Sequence, residues 1–418
     1  MEKIDYLIVG NGITGLSAAQ EIRKYDGKRK VLMISQEDLP TYYRVKLSHY
    51  ISKQFDRNSL LVHDWKWYED RQIDLLLSTV VEQIDFANKQ VISQKGDFQY
   101  DKLLLANGSH SFIPPAKGLE HEGVFSLRTI NDLERIQDYL SRVKKVAVVG
   151  GGILGLEAAW AIHELEKEVA VIEYAPFLMN RQLDEPVARD LEQMLSDNGF
   201  TMYLGAAASQ ISGDKKVERI QLTDNRVLQA DAILYSCGIR SNIELFEGTP
   251  LTVERGVVVN NHFETSLEDV YAAGDVAQIN GITLGLWTAG MVQGKVAGAN
   301  MAGEKVSYDL DMPSTLFQIN DWKIFSTGHI SGDLQNMESQ IDGGRLKLFF
   351  DDGKLEGGIL LNNNRLMPVL KKVVKNEPDC KEWLNKQIQA SELLEVLNGT
   401  LKSDKSCPWS GRFLANFY

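Results

Sequence analysis

The sequence predicts an α/β protein in which one strand–turn–helix–strand unit occurs twice and a small C-terminal α+β region follows. Three observations predict it. The apolar, β-branched run 146–149 ends in Gly150-x-Gly152-x-x-Gly155, passes into an alanine-rich helical segment, and is followed by a second β-rich run that closes on Glu173. The same design stands at the N-terminus, where residues 4–9 run into Gly10-x-Gly12-x-x-Gly15, about 140 residues earlier. From about Tyr308 the style changes to alternating strand patterns, at residues 346–350 and 355–361.

Units of this kind are Rossmann-like. The first two glycines tighten the turn and let the backbone approach a pyrophosphate, and the third lets helix and strand pack closely beneath the helix's positive N-terminal end. Glu173 stands where an acid accepts hydrogen bonds from a ribose 2′-hydroxyl. A chance glycine cluster would lack the flanking strand and helix. A membrane span would not carry Glu157 and three glycines inside its apolar run. Two such units in one chain predict two dinucleotides held in two domains.

With 418 residues, the chain is long enough for two or three domains, and 44% hydrophobic with 24% charged residues is the composition of an ordinary globular protein. A formal net charge of -12 argues against nucleic-acid binding, because a phosphate backbone rewards clustered Lys and Arg. No charged-then-apolar leader precedes the first strand, so a cytoplasmic protein with no membrane association is expected. Cys237, Cys380 and Cys407 are far apart in sequence. Their spacing gives no metal or iron–sulfur ligand set and no close redox pair, and Cys237 reads as a small buried residue at a strand end.

In chain order, the first glycine turn opens a helix to about Lys24, and Val31–Ile34 is the next strand. Ser35-Gln36 follow it, so the nearest acid for a ribose in the first unit is Glu37. Residues 61–68, with His63, Trp65 and Trp67, read as part of a packed helix rather than as a metal or stacking site. Strands are expected at 75–81, 89–93 and 100–109, and Pro114-Pro115 marks a boundary. Beyond the second unit, 183–198 has helical periodicity, and Ala232–Tyr235 is a strand before Gly238. Residues 270–276 form a strand presenting Asp275, and 282–302 a helix entered through Leu286-Trp287-Thr288. Residues 380–418 cap the last domain with near-helical spacing of Trp383, Leu384, Ile388, Leu394 and Leu397, then an irregular tail. The expected domains are 1–113 with 242–307, 114–241, and 308–418.

Both glycine turns, Ala106-Asn-Gly108, Gly238-Ile-Arg-Ser-Asn242, Tyr271-Ala-Ala-Gly-Asp275 and Gln293-Gly294 through Gly303 occur in an order that resembles a known family. It is that of the FAD-dependent pyridine nucleotide-disulfide oxidoreductases, glutathione-reductase-like in fold. Within it the chain is most similar to NADH:rubredoxin reductases and to the flavin module of nitrite reductases, over nearly all residues to about Lys375. The resemblance implies FAD in the first unit, with its pyrophosphate at Gly12 and Gly15 beside Gly10 and its ribitol hydroxyl on Asp275, next to Gly274. It implies that the helix starting near Trp287 and Thr288 aims its N-terminus at the flavin, and that Arg44, Ala106 and Gly108 also touch the cofactor. NADH is implied at Gly150, Gly152, Gly155 and Glu173, and Glu157, close to the flavin, and Gly238 are implied as further cofactor contacts.

The chain departs from the family pattern in the loop Tyr43-Arg-Val-Lys-Leu-Ser48. Val45 replaces the usual Pro, and His49 stands where Lys is common, so Glu157 is expected to face His49 or Lys46 near the flavin. Asn107 replaces the usual Thr. Residues 41–48 contain no cysteine, unlike the related disulfide reductases, oxidases and peroxidases, so electrons are expected to leave the flavin for an outside carrier. The implied activity is an FAD-dependent NADH oxidoreductase serving a small redox protein such as rubredoxin. A reductase component for a partner subunit bearing a metal centre and a flavin- and NADH-binding redox sensor are the other readings. Arg44, Lys46, Lys371, Lys372 and Lys375 are candidate docking cations for a carrier.

Overall fold

The computed structural model describes residues 1–309, 312, 314–386 and 388–403. Cys407 and the end of the expected tail lie outside them. Two compact units result: Met1–Ile172 with Ala206–Leu310, and Glu173–Gly205 with Asp311–Tyr418.

The first unit is built on a sheet ordered Ile73–Leu76, Val31–Ile34, Glu2–Val9, Gly96–Leu105, Gln90–Ser93, Val81–Asp85, with Val270–Ala272 added beside Gly96–Leu105. The Val31–Ile34, Glu2–Val9, Gly96–Leu105 and Val270–Ala272 strands are parallel, so their C-terminal ends lie along one edge. The glycine turn at Gly10 emerges there, the place where open α/β sheets bind ligands. The helices Ile13–Tyr25 and Trp287–Met301 pack against each other through Gly290, Gly294 and Gly298. A Cβ on Gly294 would come within 2.2 Å of the Thr14 carbonyl oxygen, and one on Gly298 within 2.4 Å of that of Ala18.

The second glycine motif repeats this plan. Glu168–Glu173, Lys145–Val149, Ala232–Tyr235 and Val124–Ser126 are neighbouring parallel strands, and the helix Ile153–His163 leaves the end of Lys145–Val149. A three-stranded antiparallel sheet, Ala208–Ser212, Arg219–Leu222 and Val227–Gln229, is inserted before Ala232. Ser109–Ser111 pairs antiparallel with Ile239–Ser241, tying together the two crossings between the halves of this unit.

The second unit carries an antiparallel sheet ordered Ser314–Ile319, Trp322–Gly328, Lys354–Leu361, Gly344–Asp351, Gln335–Ile341. Leu346, Leu348 and Phe350 alternate onto one face, where they share a core with Leu370, Val373 and Val374 of Met367–Lys375 and Leu393, Leu394 and Leu397 of Ala390–Ser403. This is the expected α+β region with its capping helix.

Three local expectations are corrected. Residues 75–81 are not one strand: Ile73–Leu76 ends, Ser78 takes φ +50°, and a new strand begins at Val81. The reason is a long-range contact: the amides of Ser78 and Thr79 donate to the carbonyls of Glu37 and Ser35, turning the chain back over Val31–Ile34. His63 precedes the helix Trp65–Asp70 rather than lying within it, and stacks on Trp67 at 4.0 Å. The long helix starts at Trp287, with residues 282–286 irregular before it.

Candidate functional site

The two glycine turns are built alike. Gly10 has φ +116° and a Cβ there would sit 2.1 Å from the Ala106 carbonyl oxygen, while Gly150 has φ +118° and a Cβ would sit 2.3 Å from that of Ser236. Only glycine fits either position. The third glycines serve packing: a Cβ on Gly15 would meet the Gly10 carbonyl oxygen at 2.1 Å, and one on Gly155 that of Gly150 at 2.0 Å. The middle glycines differ. Gly12 and Gly152 are the N-cap residues of their helices, neither helix has a side-chain cap, and a Cβ at either would meet nothing within 4 Å. Neither helix start is closed by a side chain, and the positive dipole end of each stands behind a glycine with open space at its Cβ position, an arrangement suited to an anion.

Around the first turn, several distant segments converge. The Asp275 carboxylate accepts hydrogen bonds from the Ser109 hydroxyl at 2.7 Å and from the Arg128 guanidinium at 2.9 Å, and its backbone carbonyl accepts from Ser241 at 2.6 Å. Gly274, at φ +80°, places the acid: its N–H donates to the Gln293 side chain at 2.8 Å, and Thr14 blocks any Cβ at 2.4 Å. Asn107 and Asn242 exchange side chain-to-carbonyl bonds of 2.8 and 2.7 Å, while the Asn107 Oδ1 is buried without a partner. Gly108 and Gly238 both take positive φ beside this ladder, at +69° and +92°.

Arg44 reaches into the same neighbourhood, donating at 2.6 Å to the Arg128 carbonyl and at 2.6 Å to Glu37. Glu37 also accepts from the Tyr42 hydroxyl, whose pKa burial drives above the usual phenol range. Its carboxylate is therefore fixed, through Arg44, to the residues around Asp275. Tyr43 packs on Trp287 with ring centroids 5.9 Å apart, and the Lys46 ammonium lies 4.5 Å over the Tyr43 ring. Leu286 caps the helix at Trp287 and Thr288 without a side-chain hydrogen bond.

Glu157 lies on the helix Ile153–His163, almost fully buried, and accepts from the Ser48 hydroxyl at 2.9 Å. His49 Nε2 is 3.9 Å away, so of the two expected neighbours it is His49 that faces the acid, while Lys46 turns to Tyr43. Burial raises the Glu157 pKa above the ordinary carboxyl value, opposed by His49 and by the Ser48 hydrogen bond.

Glu173 ends its strand, and its carboxylate accepts from the Ala175 N–H at 2.7 Å. Cys237 is half-buried rather than buried, because the chain leaves the sheet after Tyr235 into the Gly238 turn; its thiol donates to the Val149 carbonyl at 3.4 Å. Among the described residues no three His, Cys, Asp or Glu form a metal-binding group, and no helix is long and apolar enough to cross a membrane. Sequence reasoning missed Arg128, which joins Arg44, Ser109 and Asp275. The Ser126-Leu-Arg-Thr-Ile130 stretch shows only a capping box, Thr129 with Asp132, and nothing there announces the contact.

Residues 4–302 match the family model described as pyridine nucleotide-disulphide oxidoreductase. A nitrite reductase [NAD(P)H] of Bacillus subtilis is 33% identical over 389 residues, which cover 91% of this chain and 48% of the relative. An NADH-rubredoxin oxidoreductase of Clostridium acetobutylicum is 29% identical over 378 residues, 90% of this chain and 95% of the relative. The crystal structure of an NADH:rubredoxin oxidoreductase from Clostridium acetobutylicum superposes with a TM-score of 0.80 at 26% identity, covering 94% of this chain and all of that one. The chain thus spans about half the length of the Bacillus relative and nearly the whole of the clostridial one.

Proposed function

The chain belongs to the pyridine nucleotide-disulphide oxidoreductase family, and from that premise we propose that it carries electrons from NADH through FAD to a small redox protein such as a rubredoxin. FAD and NADH are its cofactors. We assign FAD to residues 1–113 and 242–307, NADH to 114–241, and a supporting role to 308–418.

The observation that carries this reading is the duplicated helix N-terminus, at Gly12 and Gly152, uncapped and open on its Cα side. The first unit fits FAD in its other donors and acceptors too. Asp275 is held in place by Ser109 and Arg128 as an acceptor for a ribitol hydroxyl, and the buried Asn107 Oδ1 is an acceptor still in want of a donor. When bound, FAD would supply the redox chemistry that joins a hydride donor to an electron acceptor. The chain's own residues bind and orient. The Gly12 turn offers backbone N–H groups to the pyrophosphate, and the N-terminus of Trp287–Met301 favours negative charge in front of it. Glu157, bonded by Ser48 and facing His49, keeps a titratable carboxyl largely out of water.

Residues 41–48 contain no cysteine, which favours an outside acceptor over an internal thiol. The test is purified, FAD-loaded protein with NADH and a panel of rubredoxins, followed by rapid-mixing absorbance. Multiple turnover with at least one rubredoxin supports the proposal, and flavin reduction without transfer to any of them refutes the acceptor. The Bacillus relative favours a second reading, since the chain matches only 48% of it. On that reading the chain is a reductase component for a subunit bearing a metal centre, and such a subunit, not rubredoxin, would restore turnover.

A further inference from the structure

The strand Gly344–Asp351 alternates, so Lys347 and Phe349 face away from the core that Leu346, Leu348 and Phe350 share with the two helices. A lysine on the second face of an antiparallel sheet is ordinarily solvated. Here both Lys347 and Phe349 are buried. The Lys347 ammonium meets the Asp184 carboxylate at 2.5 Å, and the Asp184 Oδ1 has no hydrogen-bond partner.

Asp184 occupies the N-cap position of Glu185–Asp197, where an aspartate side chain normally accepts a hydrogen bond from the first turn. It makes no such bond and is committed to Lys347 instead. A second charge pair lies further along the same helix, where Asp190 binds Arg345, which also reaches Glu338 at 3.4 Å. Two successive outward residues of one strand thus hold one helix by its acids. A buried ion pair is a weak source of stability compared with an apolar pair of similar volume, and its best-attested use is fixing register.

What the pair fixes is the segment between Glu173 and the helix. Glu173 accepts from the Ala175 N–H, and the Ala175 carbonyl accepts from Gly205 at 3.0 Å. Leu178, Met179 and Leu183 are buried, and the Met179 carbonyl accepts from both Gln182 and Leu183. Met179 takes φ +51°, a left-handed conformation that a side-chain-bearing residue keeps only when its surroundings impose it. The run from Glu173 to Asp184 is therefore tightly folded, anchored at one end by the Lys347 pair.

We propose that Lys347 and Asp184 are positioning residues for NADH: the C-terminal sheet braces the segment after Glu173 and so sets that carboxylate for the adenosine ribose. The inference rests on the NADH reading above. It gives the C-terminal unit a part in nucleotide binding that does not depend on which acceptor the protein serves.

The test uses the full-length, FAD-loaded protein carrying Lys347→Ala with Asp184→Ala, which removes the pair without leaving a buried charge. Arg345→Gln serves as a milder variant that breaks only the more exposed contacts, to Asp190 and Glu338. Dissociation constants for NADH and for ADP-ribose are measured beside KM and kcat for NADH, with FAD content and melting temperature as checks on folding. The brace predicts that the double variant binds NADH and ADP-ribose about three- to tenfold more weakly, by the same factor for both, with kcat at saturating NADH within twofold. Arg345→Gln should show the same pattern at smaller size. Folded variants that bind both ligands within twofold of the parent overturn the brace. Glu173→Ala separates the two levels of the argument. If it weakens both ligands while the brace variants do not, only the brace fails; if it too changes nothing, the NADH reading fails and the brace with it.

Discussion

Gly152→Ala tests the nucleotide reading where the protein itself is most indifferent to the change. Gly152 has φ -84° and ψ -178°, open to any residue, and a Cβ there meets nothing within 4 Å. Two small terms of opposite sign bear on stability. Alanine restricts the unfolded chain, a gain of about 0.4–1 kcal/mol, while alanine is a poorer N-cap than glycine by roughly a similar amount. Melting should therefore move by a few degrees at most, for a net change within about 1 kcal/mol. The new methyl projects instead into the space before the helix N-terminus, where a pyrophosphate would approach the backbone. Losing one charge-assisted hydrogen bond costs about 1.5–3 kcal/mol, or roughly a ten- to 150-fold rise in the NADH dissociation constant.

Gly155→Ala supplies the contrast, since its Cβ would lie 2.0 Å from the Gly150 carbonyl oxygen and force helix and strand apart. Overpacking of that kind costs about 1–3 kcal/mol, so this variant should lose stability along with binding. The assay is NADH titration of the FAD-loaded protein, with flavin content and melting recorded for both variants. A folded Gly152→Ala protein that binds NADH within twofold of the parent would refute the reasoning. So would one that loses FAD and keeps NADH.

Further outcomes are expected. Asp275→Ala should lower FAD retention by about five- to 150-fold, the equivalent of roughly 1–3 kcal/mol for a lost acceptor; undiminished flavin after gel filtration would exclude the contact. NADH should be preferred over NADPH by about ten- to a hundredfold in kcat/KM, because Glu173 would repel a 2′-phosphate and Tyr174-Ala-Pro176 offers no cation; equal values would contradict it. Reductive titration should consume two electrons per FAD and stay unchanged when Cys237, Cys380 and Cys407 are all replaced by Ser, whereas four electrons would reveal a second redox centre. Glu157→Gln should stabilise the protein increasingly as pH rises from the ordinary carboxyl value toward neutrality. Burial raises the native pKa, so the native state holds a proton that the unfolded state has released, and the cost of ionising Glu157 grows with pH. Denaturation midpoints of parent and variant that stay parallel from pH 4 to pH 8 would contradict that sign.

The two glycine turns were legible in the sequence because geometry there leaves one residue type. Gly10 and Gly150 need a left-handed φ against a carbonyl about two ångströms from where a Cβ would stand, and Gly15 and Gly155 need the same clearance for helix packing. Strands set by parallel pairing of apolar runs, such as Val31–Ile34 and Ala232–Tyr235, were legible for the same reason: their pattern states their burial. The break at Ser78 was not, because it is imposed by the carbonyls of Ser35 and Glu37, some forty residues away in sequence, and apolar residues continue across it.

The candidate site could be named from its glycines and Asp275, and much less so from the side chains that hold them. Arg128 is a lone basic residue before a helix cap, and its partners come from long-range contacts: Ser109–Ser111 pairs with Ile239–Ser241, and Ser109 and Ser241 both bond Asp275. Glu37 could be named from its distance after Val31–Ile34, yet its partners Tyr42 and Arg44 follow from how the next loop folds. Lys347 is the extreme case. Leu346-Lys-Leu-Phe-Phe350 reads as a strand with one solvated face, and no periodicity can say that this face will be covered by a segment more than 160 residues earlier in the chain. Period-two alternation tells which residues share a face and is silent on what covers the second one. A charged residue in such a strand becomes informative only when the structure buries it, because an ammonium removed from water must then be matched by a specific acid. For Lys347 that acid is Asp184, which leaves its own helix uncapped to meet it.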